Sequence, residues 1–79
     1  MANPGEHHPA FEEYCECIFE LHEDNLDVIQ ARVADRLSVS RPSVSEMIKR
    51  MEAEGLIRLR GTKIVLTDEG NVLATKVVR

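Results

Sequence analysis

Apolar residues recur along this chain at two different spacings, and the changes between them mark out its elements. Between residues 10 and 22, Phe11, Tyr14, Cys15, Ile18, Leu21 and His22 gather on one side of a 3.6-residue period, with Glu12, Glu13, Glu16, Glu20 and Glu23 opposite. The spacing predicts a first helix over 10–22, with Cys17 and Phe19 on the flanks of its acidic stripe. A second helix is expected over 28–37, where Ile29, Val33, Ala34 and Leu37 form an inner stripe. Asp27 followed by Gln30 resembles a capping box at its start. The connector Ser38-Val39-Ser40 is short, Ser40 can cap the next helix, and Pro42 is tolerated in a first turn. In that third helix Val44, Met47, Ile48 and Met51 fall at i, i+3, i+4 and i+7. Ser43, Ser45, Glu46, Lys49, Arg50 and Ala53 are left outward, and Gly55 suits the left-handed position that ends a helix.

The period then drops to two. Leu56 to Arg60 and Lys63 to Leu66 read as short strands around Gly61-Thr62, with Gly at the first central position of a type II′ turn. Arg58 and Arg60 alternate with Ile57 and Leu59, so both arginines leave the same face. Thr67 can cap a last helix through Gly70, Val72, Leu73, Ala74, Val77 and Val78, still periodic at Arg79. Residues 1–9 hold two prolines, a glycine and no period, and are expected to form a flexible arm. The adjacent His7 and His8 there read as a solvated tail, because a metal site needs further ligands nearby. The fold predicted for 10–79 is mainly α, a winged helix-turn-helix: a three-helix core, a two-stranded β-wing and a C-terminal helix. Its core is expected to hold Tyr14, Ile18, Leu21, Val33, Leu37, Val44, Ile48, Met51, Leu56, Leu66 and Leu73.

Seventy-nine residues make one small domain with a thin core. The sequence shows no apolar run near the ~18–20 residues of a membrane span and no leader pattern, so a cytoplasmic protein without membrane partners is expected. Cys15 and Cys17 are two apart on one helix, pointing about 200° from each other, and should not bridge. The three aromatic residues offer little stacking surface for single-stranded nucleic acid.

The net charge of −4 looks wrong for a DNA-binding protein until it is divided along the chain. Residues 1–25 carry seven acidic groups and no Lys or Arg. Residues 26–66 carry eight basic groups (Arg32, Arg36, Arg41, Lys49, Arg50, Arg58, Arg60, Lys63) against five acidic ones. The acidity is therefore an N-terminal property, and the middle has the positive character that phosphate contact requires. A helix backed by a partner across a tight turn, with small polar and basic residues outward, suits a DNA major groove. Ser40, Pro42, Ser43 and Glu46 are expected nearest base edges, and Ser45, Arg50, Arg60 and Lys63 at phosphates. Arg32, Arg41 and Lys49 complete the candidate DNA surface. An edge hairpin kept soluble by charge would explain the basic strands in isolation; beside a helix-turn-helix, a phosphate-gripping wing is the better reading. The five-carboxylate face of the first helix reads either as a solvated surface or as a divalent-cation site. No Ser/His/Asp or Cys/His set, phosphate loop or closed metal quartet suggests an enzyme. The competing reading is a winged-helix protein-interaction module that binds neither DNA nor metal.

Three segments carry a family resemblance: FEEYCECIFEL at 11–21, ARVADRLSVSRPSVSEMIKRMEAEGLI at 31–57 and LTDEGNVLATKVVR at 66–79. They resemble the N-terminal winged helix-turn-helix domain of the diphtheria toxin repressor and manganese transport regulator family. The resemblance implies a homodimeric repressor of metal-responsive genes that binds operator DNA when Fe(II) or Mn(II) is bound as co-repressor. It implies one metal ligand at Glu13, just before Tyr14, and a second at Glu16, as in manganese-type members, with Cys17 as a neighbour. Two carboxylates suit the harder Mn(II). The family's remaining ligands would fall after Arg79, so this chain is expected to hold a partial site and no tightly bound metal, with the sequence stopping in a linking helix before a dimerisation domain. Glu46 stands where glutamine is common in toxin-repressor-type members, and the wing is short, which bears on the operator sequence rather than on the fold.

Overall fold

The computed structural model describes residues 9–76. In chain order these form α1 (Pro9–Glu23), α2 (Gln30–Leu37), α3 (Arg41–Ala53), β1 (Ile57–Arg60), β2 (Lys63–Leu66) and α4 (Asp68–Lys76). The order is that of the winged helix-turn-helix anticipated from the period changes. Pro9, expected at the end of the arm, instead opens α1 in the first turn, where proline's fixed φ is tolerated. Residues 1–8, with His7 and His8, and the continuation of the last helix at Val77 and Val78 lie outside the described residues.

The first three helices stop in the same way. In each, an amide reaches back to the carbonyl five residues earlier: Leu26 to Leu21, Val39 to Ala34 and Leu56 to Met51, at 2.9–3.0 Å. In each, the preceding amide bonds three residues back: Asn25 to His22, Ser38 to Asp35 and Gly55 to Glu52. That pair of bonds is a Schellman motif, which requires a left-handed residue between helix and loop. Asn25, Ser38 and Gly55 supply it, at φ of 60°, 58° and 81°. Gly55 was legible in the sequence; Asn25 and Ser38 are the asparagine and serine substitutes for glycine. Starts differ more. Ser40 caps α3 as expected, its Oγ accepting from the Ser43 amide at 3.2 Å with proline in the first turn.

The capping box expected from Asp27 and Gln30 does not form. α2 begins at Gln30, after an extended Ile29 that makes no side-chain cap. The wing has taken the preceding residues instead. β1 and β2 pair antiparallel, with Arg60 opposite Lys63 and Leu59 opposite Ile64. In a two-residue hairpin the closing pair is hydrogen-bonded, so the alternation turns the Ile64 amide away from β1. The Val28 carbonyl accepts that amide at 2.8 Å, and the Val28 side chain is buried. A backbone held in this extended path cannot also begin a helix. Gly61 has φ of 63° while Thr62 is not in the positive-φ region, which fits the type II′ turn and excludes type I′.

The core lies between α1, the α2–α3 pair and the sheet. Ile18, Leu21, Val33, Val44, Ile48, Met51, Leu56 and Ile57 are all essentially sealed from solvent. Leu37 and Leu66, expected inside, pack against this core only half-buried. Around α1 the expectation needs one exchange: Cys17 is buried and His22 is exposed. α1 packs on α2, β2 and α4, so its covered arc is wider than one stripe and takes in the Cys17 flank. Burial pushes both thiols up to about 11 from an ordinary value of 9.0, and the α2 side chain Arg36 offsets part of the effect at Cys17. Both cysteines are free, as their divergent directions required.

α4 is set by one close approach. Gly70 is a buried helical glycine; a Cβ placed there would lie 2.0 Å from the Leu56 carbonyl oxygen and 2.9 Å from a Leu66 methyl. Thr67 fixes the same junction: its amide donates to the Leu56 carbonyl at 3.0 Å and its hydroxyl to the Gly55 carbonyl at 2.6 Å. The same Oγ accepts from the Gly70 amide at 3.1 Å, capping α4. One threonine thus joins the exit of α3 to the start of α4.

Gly70→Ala gives the sharpest test of this packing. Helix propensity alone would favour alanine by about 0.5–1 kcal/mol. Overpacking against a backbone carbonyl costs about 1–3 kcal/mol or more, so the variant should be destabilised on balance, read as a lower urea midpoint. A raised midpoint would contradict the close approach. For the thiols, the folded state retains protons that the unfolded chain releases near pH 9, so stability is full below that pH and falls as pH rises towards 11. Native protein should react slowly with a thiol reagent at neutral pH and rapidly once denatured; equal rates would refute burial of both sulfurs.

Candidate nucleic-acid interface

The helix phase read from the sequence holds in α3. Val44, Ile48 and Met51 are at most 1% exposed, whereas Ser43, Glu46, Lys49 and Arg50 face solvent and Ser45 is half-buried. Pro42, Ser43, Ser45, Glu46 and Lys49 line one shallow depression along this helix. At the α2–α3 turn, Arg32 and Arg41 line a second depression with Ala31, Ala34, Asp35 and Val39. The fold therefore brings Arg32 and Arg41 together from two helices, next to the residues that open α3. Val39 in the same turn is an exposed apolar residue that the charge pattern could not single out. It offers a surface for a thymine methyl or a sugar.

The Ser40 hydroxyl is already engaged. Besides accepting from the Ser43 amide, it donates to Ser43 Oγ at 2.9 Å. The two hydroxyls share one hydrogen bond, so one hydroxyl proton of the pair is left for an outside acceptor. Ser40 thus orients Ser43 more than it offers a contact of its own.

The wing places its charges by register. Ile57, Leu59, Ile64 and Leu66 share one face of the hairpin, and Arg58, Arg60, Lys63 and Val65 share the other. Arg60 and Lys63 are directly opposite each other and both exposed. Arg60 also lines a groove with the α1 residues Phe19, His22 and Glu23, apart from the α3 depression. Lys63 is not a free cation: its Nζ lies 3.5 Å from Asp27 Oδ1. The expectation for Lys63 did not include this partner, because Asp27 was assigned to a helix cap.

The acidic stripe of α1 divides in two. Towards its C-terminal end, Glu20 and the following Asp24 each meet the Arg36 guanidinium of α2 at 3.5 Å. The sequence counts Arg36 only within the basic middle, although its charge opposite an acidic helix was the available signal for this pairing. Towards the other end, Glu13 is exposed and Glu16 half-buried, one turn apart. Their hard oxygen donors fit part of a divalent-cation site. Among the described residues no three His, Cys, Asp or Glu side chains converge. Cys17, one turn after Glu13 on the same helix, is buried, whereas Glu13 is exposed. No helix among these residues is long and apolar enough to cross a membrane.

Comparison with known proteins agrees with this architecture. Residues 8–65 match the family described as "Iron dependent repressor, N-terminal DNA binding domain". The iron-dependent repressor IdeR of Mycobacterium tuberculosis is 41% identical over 69 residues, covering 86% of this chain and 30% of that protein. The diphtheria toxin repressor of Corynebacterium diphtheriae is 39% identical over the same length, with the same coverage. Among solved structures, the manganese regulator SloR superposes with a TM-score of 0.71 at 35% identity, over 81% of this chain and 30% of that one. ScaR, crystallised with bound Zn2+, superposes at 0.75 with 32% identity, over 87% and 32%. The chain thus spans about a third of the length of the relatives it matches. The matched helices, turn and wing are the elements just described, and the chain belongs to the iron-dependent repressor family, in its N-terminal DNA-binding domain.

Proposed function

We propose that this chain is the operator-binding part of a metal-responsive transcriptional repressor, acting in the cytoplasm as part of a homodimer on double-stranded DNA. The family is one of repressors rather than enzymes. The observation that carries the reading is the division of α3. Val44, Ile48 and Met51 are buried and Met47 packs half-buried against them, while serine, glutamate, lysine and arginine are presented outward from a capped N-terminus. Such a helix can enter a major groove while its apolar stripe stays in the core.

In this reading Ser43, Glu46 and Pro42 approach base edges, with Ser40 holding Ser43 in place. Ser45, Lys49 and Arg50 meet the backbone beside them. Arg32 and Arg41 grip phosphates at the α2–α3 turn, and Arg60 does so from the wing, where Lys63 reaches the backbone only in competition with its pairing to Asp27. A glutamate accepts from cytosine N4, whereas a glutamine pairs with adenine. Glu46 therefore biases one operator position towards cytosine.

We further propose that Glu13 and Glu16 hold Mn(II) or Fe(II) as co-repressor in the full-length protein, together with ligands outside this chain. The metal would supply a positive centre that draws α1 and those outside ligands into one arrangement. The chain's own contribution is to present two carboxylates from one turn of a helix whose other end is tied to α2 through Arg36.

Three outcomes follow. Arg50→Ala should weaken binding to all duplexes alike and flatten the dependence of log K on log salt by about 0.9, the value for one phosphate contact. Unchanged affinity at low salt would reject this docking. Glu46→Gln should move the preferred base at one position from cytosine towards adenine in a selection from randomised duplexes. For the metal, the 79-residue chain should bind Mn(II) weakly, because two carboxylates fall short of the about four to six ligands of a tight site. In the full-length protein operator binding should depend on metal, and Glu13→Ala should remove that dependence without changing the thermal unfolding of the apo-protein. Metal-independent operator binding, unaltered by Glu13→Ala, would leave the carboxylates as a solvated face.

A further inference from the structure

Asp27 sits where nothing in the fold requires an acid. It does not cap α2, and the Ile29 that precedes the helix makes no side-chain cap either. Among the described residues its one partner is Lys63 at 3.5 Å, with both side chains more than half exposed (65% and 61%). An ion pair so exposed is worth about 0–1 kcal/mol of stability, too little to account for its placement as a fold contact. Yet the placement is not loose. Val28, the next residue, is buried and its carbonyl is bonded to the amide of Ile64, the residue after Lys63. That backbone rung holds the Asp27 carboxylate beside the tip-proximal half of β2, and Arg60 lies directly across the hairpin from Lys63.

From this arrangement we infer that Asp27 is an affinity-tuning residue for DNA: its carboxylate occupies the wing lysine in the place a backbone phosphate would take. The inference rests on the DNA-binding role proposed above. A phosphate reaching Lys63 must displace the carboxylate or share the ammonium with it, and in either case meets a like charge a few ångströms away. Lys63 reaches the duplex already neutralised, so its engagement contributes little net counterion release. The wing then binds chiefly through Arg60, with Lys63 held back. Sequence readout by α3 is untouched, because phosphate contacts set affinity and register without distinguishing bases. Asp27 turns down the sequence-independent part of binding and so raises the share carried by base contacts.

The experiment is a salt titration of the 79-residue chain on a mixed-sequence DNA duplex, followed by fluorescence anisotropy. Asp27→Asn should bind about threefold or more tighter at low salt and steepen the slope of log K against log salt by up to about 0.9. Asp68→Asn, which removes the same charge from α4, is the control for net charge and should change affinity less. Lys63→Gln should alter the slope little in the natural chain but flatten it by up to about 0.9 in the Asp27→Asn background. Thermal unfolding of each variant checks the fold, and Asp27→Ser provides a second neutral side chain. Coincident curves for the natural chain and both Asp27 variants would overturn the inference while leaving the DNA reading intact. So would equal effects of Asp27→Asn and Asp68→Asn. Absence of any salt-dependent duplex binding by the natural chain would overturn the DNA reading and the inference with it.

Discussion

The arrangement of this domain depends on one contact between backbones. Gly70 brings α4 against the Leu56 carbonyl at a separation that leaves no room for a methyl group, and Thr67 locks both sides of that crossing. The Leu56 carbonyl also accepts from the Thr67 amide, so a single peptide is at once the exit of α3, the root of β1 and the floor beneath α4. Because α4 packs along α1, the same crossing sets where α1 lies over the core. The outward face of α3 is only as well placed as its last turn, and that turn is fixed here. A threonine and a glycine three residues apart, far from any candidate contact with DNA, therefore position the helix that would make it.

Local chemistry was largely legible in the sequence. The apolar spacing in α3, the Ser40 cap, Gly55 at the helix end, Gly61 in a type II′ turn and Thr67 at the start of α4 each follow from short-range stereochemistry. The structure reproduces them. Features that needed a distant partner were not legible. Asp27 and Gln30 have capping-box spacing, but a tertiary hydrogen bond from Ile64 outweighed a local preference worth about 1 kcal/mol. Cys17 and His22 exchanged places because the number of elements packed on α1 cannot be read from α1 alone. Gly70 is, in the sequence, only one residue of the last helix, since the carbonyl it accommodates lies fourteen residues earlier in the chain.

The candidate site divides along the same line. Residues on α3 were found because one helix carries both the buried stripe and the presented face, so a single periodicity locates both. The neutralising partner of Lys63 and the tie between Arg36 and the acidic helix depend on which loop lies beside which strand. Charge counting by segment correctly separated an acidic start from a basic middle. It could not show that the two meet, through Arg36 with Glu20 and Asp24, or that Lys63 is paired within the middle by Asp27. The acidic helix is therefore joined by charge to α2 at its C-terminal end, and the carboxylates proposed for metal lie towards its other end.

The rung between Val28 and Ile64 has a mechanical consequence. It gives the hairpin a neighbour on each side of β2, so the wing is built into the domain at its middle rather than hinged at its ends. Lifting it as a rigid flap would break a hydrogen bond at a buried residue and uncover Val28 and Ile64 together. Beyond the rung lie only the Arg60–Lys63 pair and the Gly61-Thr62 turn. A duplex whose groove width varies would have to be accommodated by the reach of arginine and lysine side chains, with the backbone acting as a fixed gauge.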